Sequence, residues 1–138
     1  MTFVLDCSVT MAWVFADEAT RETERLRDSL IGGRAFVPAL WPNEVGNVLR
    51  VATRRGRIVR DEWGRIRRNL EALPVEIDPV STSVVWGSVL KLAHEHELSV
   101  YDAMYLELAA RMHLPLATLD LALVSAALRV GLEVPTIR

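Results

Sequence analysis

Short apolar runs alternate with longer mixed runs along the chain, and the two have different periods. Thr2 to Leu5 is an apolar run of β type, closed by Asp6. Val9 to Ala16 reads as a helix that is apolar nearly all round, hence buried or part of an interface. Thr20 to Ile31 is a polar, charge-laced helix that stops at Gly32-Gly33. Ala35-Phe36-Val37 is a second buried strand, ended by Pro38. Pro42-Asn43-Glu44 opens the next helix, with Val45, Val48, Leu49 and Ala52 as its apolar stripe and Gly56 near its end. Asp61 to Leu73 is a helix, and Val75-Glu76-Ile77 after Pro74 a short strand. Ser81 to Glu95 and Ser99 to His113 are helices, Leu116-Ala117-Thr118 a strand, and Asp120 to Val130 a helix stopped by Gly131. Val134 is expected at the core of a last strand.

Strands alternating with helices at these spacings imply parallel pairing. The expectation is an α/β three-layer sandwich around a central, mostly parallel sheet of about five strands. There is no internal repeat, low-complexity stretch or linker, so residues 1–138 are expected to form one domain.

One residue breaks the pattern. In the helix Ser99 to His113, Ser99-Val100-Tyr101-Asp102 has the form of a capping box. At about 100° per residue, Glu107 and Arg111 share a face as an i,i+4 pair. Asp102 points almost the opposite way, among Ala103, Leu106, Ala109, Ala110 and His113. A carboxylate on the apolar side of a helix is costly unless something cationic or hydrogen-bonding meets it.

Parallel topology gives Asp102 company. In an open α/β sheet, functional groups gather outside the carboxyl ends of the strands. Asp6 follows the first strand, and Asp120 follows Leu116-Thr118 in a Thr-x-Asp arrangement. Glu44 and Asp102 lie in the first turns of helices that start on the same edge. Taken alone, each has a plain structural role: a turn residue, a dipole-stabilised acid, an N-cap. Together, acids drawn from distant parts of the chain to one edge repel, and a cation resolves the repulsion. Oxygen-only ligation points to a hard ion such as Mg²⁺ or Mn²⁺. Such ions in acidic pockets serve phosphoryl chemistry.

Composition narrows the setting. The hydrophobic fraction of 51% over 138 residues and the mean hydropathy of +0.20 fit a compact core rather than a disordered chain. No apolar run reaches membrane-spanning length, and the N-terminus lacks a basic region before its apolar stretch, so no signal peptide is expected. The one cysteine, Cys7, suits core packing and a reducing cytoplasm. A net charge of −2 gives no bulk pull toward nucleic acid, but the arginines are unevenly spread. Eight of them, Arg50, Arg54, Arg55, Arg57, Arg60, Arg65, Arg67 and Arg68, crowd into one stretch with few acidic neighbours, Asp61 and Glu62. Arg50, Arg54 and Arg57 face away from the apolar stripe of their helix, placed for RNA or for an acidic partner segment. The alternative is a solvated helical face.

Competing chemistries fit less well. His94-x-His96 lies in a polar helix end flanked by Glu95 and Glu97 and lacks a further ligand motif. A haloacid-dehalogenase-type phosphatase wants a second acid two residues after Asp6, where Ser8 stands. A receiver domain needs a lysine near its last strands, and the one lysine, Lys91, falls in a helix.

Four motifs resemble a known family. Leu5-Asp6-x-Ser8, Pro38 through Trp41-Pro42-Asn43-Glu44-Val45-x-Asn47, Tyr101-Asp102-Ala103-x-Tyr105 and Thr118-Leu119-Asp120 are similar to those of the PIN domain, more narrowly of VapC-type toxins of prokaryotic toxin–antitoxin pairs. The resemblance implies a Mg²⁺- or Mn²⁺-dependent endoribonuclease. Asp6 and Asp102 match the principal metal ligands, and Glu44 and Asp120 the remaining acidic positions. Ser8, Asn47 and Thr118 match supporting polar positions. It also implies an antitoxin partner whose C-terminal segment crosses the acidic edge. The apolar helices Val9 to Ala16 and Asp120 to Val130 suggest a homodimer. One departure stands out: the family often has a basic residue just after its last acid, where Leu121 and Ala122 follow Asp120. A catalytically silent PIN-fold module that acts by binding a partner is the alternative function. Trp13, Trp41, Trp63 and Trp86 are candidate stacking platforms for RNA bases, or core.

Overall fold

The computed structural model of the chain describes residues 1–136. In chain order they form β1 (Thr2–Leu5), α1 (Cys7–Val14), α2 (Arg21–Asp28), β2 (Arg34–Pro38), α3 (Trp41–Arg54), α4 (Trp63–Glu71), β3 (Val75–Asp78), α5 (Thr82–Val84), α6 (Leu90–His96), α7 (Val100–Met112), β4 (Leu116–Ala117) and α8 (Leu121–Arg129). A π-helical turn, Val85–Val89, joins α5 to α6 in one helical run. The strands pair in the order β3-β2-β1-β4, and every pairing among the described residues is parallel.

The fold class expected from the periodicity is the one observed, with one strand fewer. Around Val134 the chain runs beside β4 and makes one backbone bond, Leu116 N–H to Glu133 O at 3.0 Å, but it forms no strand. Pro135 follows and has no N–H to extend a ladder. Among the described residues the sheet therefore has four strands.

Phe3, Val4 and Leu5 of β1 are all fully buried. Successive strand side chains point to opposite faces, so both faces of the sheet are covered at β1. The helix α7 packs on β1 and β2. Ala103 through Ala109 are buried without a break, so α7 is a core helix rather than one with a solvent face. Glu107 lies within that run and pairs with Arg111, Nε to Oε1 at 2.7 Å. Arg111 reaches on to Asp78 at the end of β3, at 2.6 Å, and so ties the edge strand to the central helix.

The capping device at the start of α2 pairs Thr20 with Thr23 in both directions. Past its end, Gly32 takes φ +78, and a Cβ on Gly33 would fall 2.0 Å from the Met1 carbonyl oxygen, so the N-terminus packs where only glycine fits. The apolar helix read at Val9 to Ala16 is α1, and Cys7, Val9, Thr10, Met11 and Ala12 bury it within the chain. No helix among the described residues is long and apolar enough to cross a membrane.

Candidate active site

The carboxyl ends of β1 and β4 lie side by side, because Val4 is in register with Leu116 and Leu5 with Ala117. Asp6 N–H still bonds to Ala117 O at 3.0 Å, so Asp6 leaves the sheet level with the end of β4. It occupies the N-cap position of α1 without capping it. Its carboxylate turns instead to two hydroxyls: Ser8 Oγ donates to Oδ2 at 2.5 Å and Thr118 Oγ1 to the same oxygen at 2.8 Å. Both hydroxyls are themselves fixed, since Leu119 N–H donates to Ser8 Oγ at 3.0 Å and Asp120 N–H to Thr118 Oγ1 at 3.1 Å. This lattice stitches the β1–α1 corner to the β4–α8 corner around one buried acid.

The other three acids come from helix starts. Asp120 is the N-cap of α8, and its Oδ1 accepts from Leu123 N–H at 2.9 Å. Asp102 sits in the first turn of α7, where Ser99 Oγ accepts its N–H at 3.0 Å. Glu44 sits in the first turn of α3, and Tyr105 O–H donates to its Oε1 at 2.5 Å. Asp6 is buried, while Glu44 and Asp102 are half-buried.

Their electrostatics link them into one cluster. Burial is the largest cause raising the carboxyl of Asp6 above its ordinary range; Ser8 and Thr118 oppose it, and Asp120 adds to it. Glu44 is raised by burial first, with Tyr105 opposing and Asp6 and Asp102 adding. Asp102 is raised by burial, then by Asp6 and Asp120. None of the four acids pairs with a lysine, arginine or histidine among the described residues. No cation of the described residues therefore meets the demand of Asp102, and its acidic neighbours make that demand larger.

The donor set fits a hard divalent ion. Cys7 lies close enough to feel Glu44 and Asp6, but burial pushes its thiol up to about 12, so no thiolate is offered and oxygen donors remain. Among the described residues no three acid, histidine or cysteine side chains already converge on one point. Mg²⁺ tolerates that, since it keeps several waters and takes one or two carboxylates directly.

Two expected residues stand elsewhere. Asn47 is exposed on α3 and makes no hydrogen bond to any of the four acids. Arg57 is bound to Asp17 at 2.6 Å and Glu18 at 2.9 Å and lies over the Phe15 ring. Acids remote in sequence thus occupy it, which counting neighbours along the chain does not reveal. Arg50 and Arg54 are exposed and form no ion pair among the described residues, whereas Arg65 pairs with Glu62 and Arg67 with Glu71. His94 is exposed and His96 half-buried, and among the described residues they belong to no group of three candidate metal ligands. Trp41 is buried, Trp13 half-buried, and Trp86 is 75% exposed.

Tyr105 belongs to the third motif, but the sequence assigned it no role at the site. It falls one turn after Asp102, and a buried phenol needs a partner for its hydroxyl; that pairing is the signal. Behind Asp6, Trp41 Nε1–H donates to Thr10 Oγ1 at 3.0 Å, anchoring α3 to α1. Beside the acids stand two exposed apolar side chains, Tyr101 next to Asp102 and Leu121 next to Asp120. A second surface opens on α3 itself. An apolar groove of about 850 Å³ runs between α3, α4 and β3, lined by residues including Trp41, Val45, Leu49, Trp63, Ile66 and Leu70, with Arg50 and Arg67 among its polar members.

The model of the PIN domain family matches residues 3–127, which include all four acids. The chain belongs to the PIN domain family. Solved structures share its architecture. PAE2754 from Pyrobaculum aerophilum superposes with a TM-score of 0.67 at 23% identity, over 97% of this chain and 83% of that one. VapBC2 from Rickettsia felis, bound to a DNA fragment from their promoter, superposes with a TM-score of 0.65 at 11% identity, over 97% of each chain. At these identities the likeness is one of fold. No curated protein matches the chain.

Proposed function

We propose that this PIN domain is a metal-dependent endoribonuclease of VapC type, the toxin of a toxin–antitoxin pair. The observation that carries the reading is the cluster itself: Asp6, Glu44, Asp102 and Asp120, from four separate parts of the chain, share one field with no cation among the described residues paired to them. Membership of the PIN family supports nuclease chemistry, and the shared fold with VapBC2 supports the narrower assignment.

Asp6 and Asp102 would hold Mg²⁺ or Mn²⁺, with Glu44 and Asp120 completing the acidic set. Bound there, the ion would polarise a phosphate oxygen and lower the pKa of an attacking water. The chain's own groups do the rest. Ser8 and Thr118 hold the Asp6 carboxylate in one orientation. A carboxylate of the acidic set would assist by taking the proton from the attacking water. The water oxygen would bond to phosphorus in line with the P–O3′ bond that breaks, and the departing O3′ would take a proton from solvent, leaving 5′-phosphate and 3′-hydroxyl ends. The ribose 2′-OH takes no part as nucleophile.

The partner reading is what the resemblance to VapC-type toxins implies, and charge and shape are compatible with it. A basic side chain from an antitoxin's C-terminal segment would satisfy Asp6 and Asp102 in place of the ion. The groove beside α3 starts at Trp41 and Pro42, next to Glu44, and offers an apolar seat for the same segment. The α8 face supports self-association into a homodimer.

The test is metal removal. In excess EDTA the protein is expected to leave RNA intact and to regain cleavage with Mg²⁺ or Mn²⁺. Undiminished cleavage in EDTA overturns the metal reading and favours a contaminating or metal-independent nuclease.

A further inference from the structure

Glu44 differs from the other acids in how it is held. Two fixed hydroxyls clamp Asp6, and a helix N–H clamps Asp120. Glu44 has a longer side chain, is half-buried, and lies in the fields of Asp6 and Asp102. Like charge at Asp6 and Asp102 disfavours a Glu44 carboxylate held against the cluster. Only one side-chain hydrogen bond among the described residues opposes that effect, from Tyr105 O–H at 2.5 Å. Tyr105 is fully buried on the core helix α7, so its ring cannot follow Glu44 if the carboxylate swings away. The dependence is mutual, because no other partner serves the phenol among the described residues.

We infer that Tyr105 is a positioning residue for the metal site: its hydroxyl tethers Glu44 Oε1 and keeps the carboxylate turned inward for the ion. The inference rests on the metal reading above and adds to it a residue outside the acid set. It also gives α7 two roles at the site, since the helix that presents Asp102 locks the acid presented by α3. A hydrogen bond behind a ligand typically changes metal affinity by 10- to 100-fold when removed. Here one carboxylate of four is affected, so the low end of that range is expected.

The experiment is a double-substitution cycle read by Mn²⁺ calorimetry on the full chain. Tyr105→Phe removes one oxygen from the ring and is expected to weaken Mn²⁺ binding about 10-fold. Glu44→Gln is expected to weaken it as well, and adding Tyr105→Phe to Glu44→Gln is expected to change affinity no further. A structural role would instead lower the melting temperature equally in both backgrounds and leave Mn²⁺ affinity at the wild-type value, which overturns the inference. Should Tyr105→Phe not fold, Glu44→Asp tests the same tether from the other side: it keeps the charge but draws the carboxylate back from the phenol. It too is expected to lose affinity about 10-fold, and wild-type affinity overturns the inference. Wild-type protein that binds no Mn²⁺ overturns the metal reading and this inference with it. Wild-type protein that binds while Tyr105→Phe binds equally well overturns this inference alone.

Discussion

At the scale of single residues, the acids are under strain that an ion would relieve. Two carboxylates about 5 Å apart at an effective dielectric of about 20 repel by roughly 3 kcal/mol before proton sharing eases it. Asp102→Asn keeps the shape, removes one charge and supplies a poor ligand. It is expected to melt higher than wild type in EDTA, to gain less from added Mg²⁺, and to lose nearly all cleavage. A variant that melts lower in EDTA yet responds normally to Mg²⁺ would make Asp102 a helix-start acid and nothing more. The same shifts fix a pH dependence. Asp6, Glu44 and Asp102 are raised above 3.8, 4.5 and 3.8 in the folded chain. Between the ordinary and the raised values the folded state holds protons that the unfolded state has lost, so stability falls as pH rises through that window. The penalty is absent below the ordinary carboxylate range and complete above the raised values. Urea unfolding of metal-free protein from about pH 4 upward is expected to show this decline, with a shallower slope in Asp102→Asn. Equal slopes would remove Asp102 from the cluster.

At the scale of elements, the sequence was most legible where period and punctuation agreed. The Pro38 strand end and the Ser99 cap stand where the sequence puts them, whereas α2 ends at Asp28 and passes through turns before Gly32-Gly33. The site was legible because parallel order forces strand ends and helix starts onto one edge. It was illegible where contacts cross the chain. Nothing local to Arg57 foretells Asp17 and Glu18, and nothing local to Glu44 foretells Tyr105, 61 residues away. The i,i+4 pair read on α7 forms, though not on a solvent face. Glu107 is buried, because the helix runs through the core and Arg111 supplies its cation from the rim. Arg111→Ala leaves a buried acid without its partner. It is expected to cost about 1–3 kcal/mol in urea unfolding, less than a fully buried pair because the guanidinium is 43% exposed. Mg²⁺ response should persist, since the pair lies away from the acid cluster. The arginines of α3 separate in the same way. Arg54→Ala is expected to weaken RNA binding and to reduce its salt slope, while Arg57→Ala, which frees Asp17 and Glu18, should act mainly on stability. An unchanged salt slope for Arg54→Ala would return that face to solvent.

At the scale of the whole molecule, the apolar surface that folding leaves open decides what the chain does with other chains. The two helices read from sequence as apolar nearly all round meet different ends. One of them, α1, is consumed by the core. The other, α8, buries Leu123, Ala126 and Ala127 on one side and leaves a stripe of Leu121, half-buried Val124 and Leu128 on another, with Leu121 67% and Leu128 59% exposed. These three recur at i, i+3 and i+7, the spacing of a packing face. A helix with two apolar faces and one core has a second partner to find, and a second copy of the same helix supplies a matching stripe by two-fold symmetry. Since Leu121 follows Asp120 directly, such a contact would lie beside the acid cluster of each copy. Light scattering of the isolated protein is therefore expected to give a dimer. Leu128→Glu, which places a charge within the stripe and away from the acids, is expected to give a monomer that still binds Mn²⁺ with wild-type affinity. Wild-type protein that scatters as a monomer at every concentration would leave the stripe for a different chain, and dimeric Leu128→Glu would place the dimer contact on another surface.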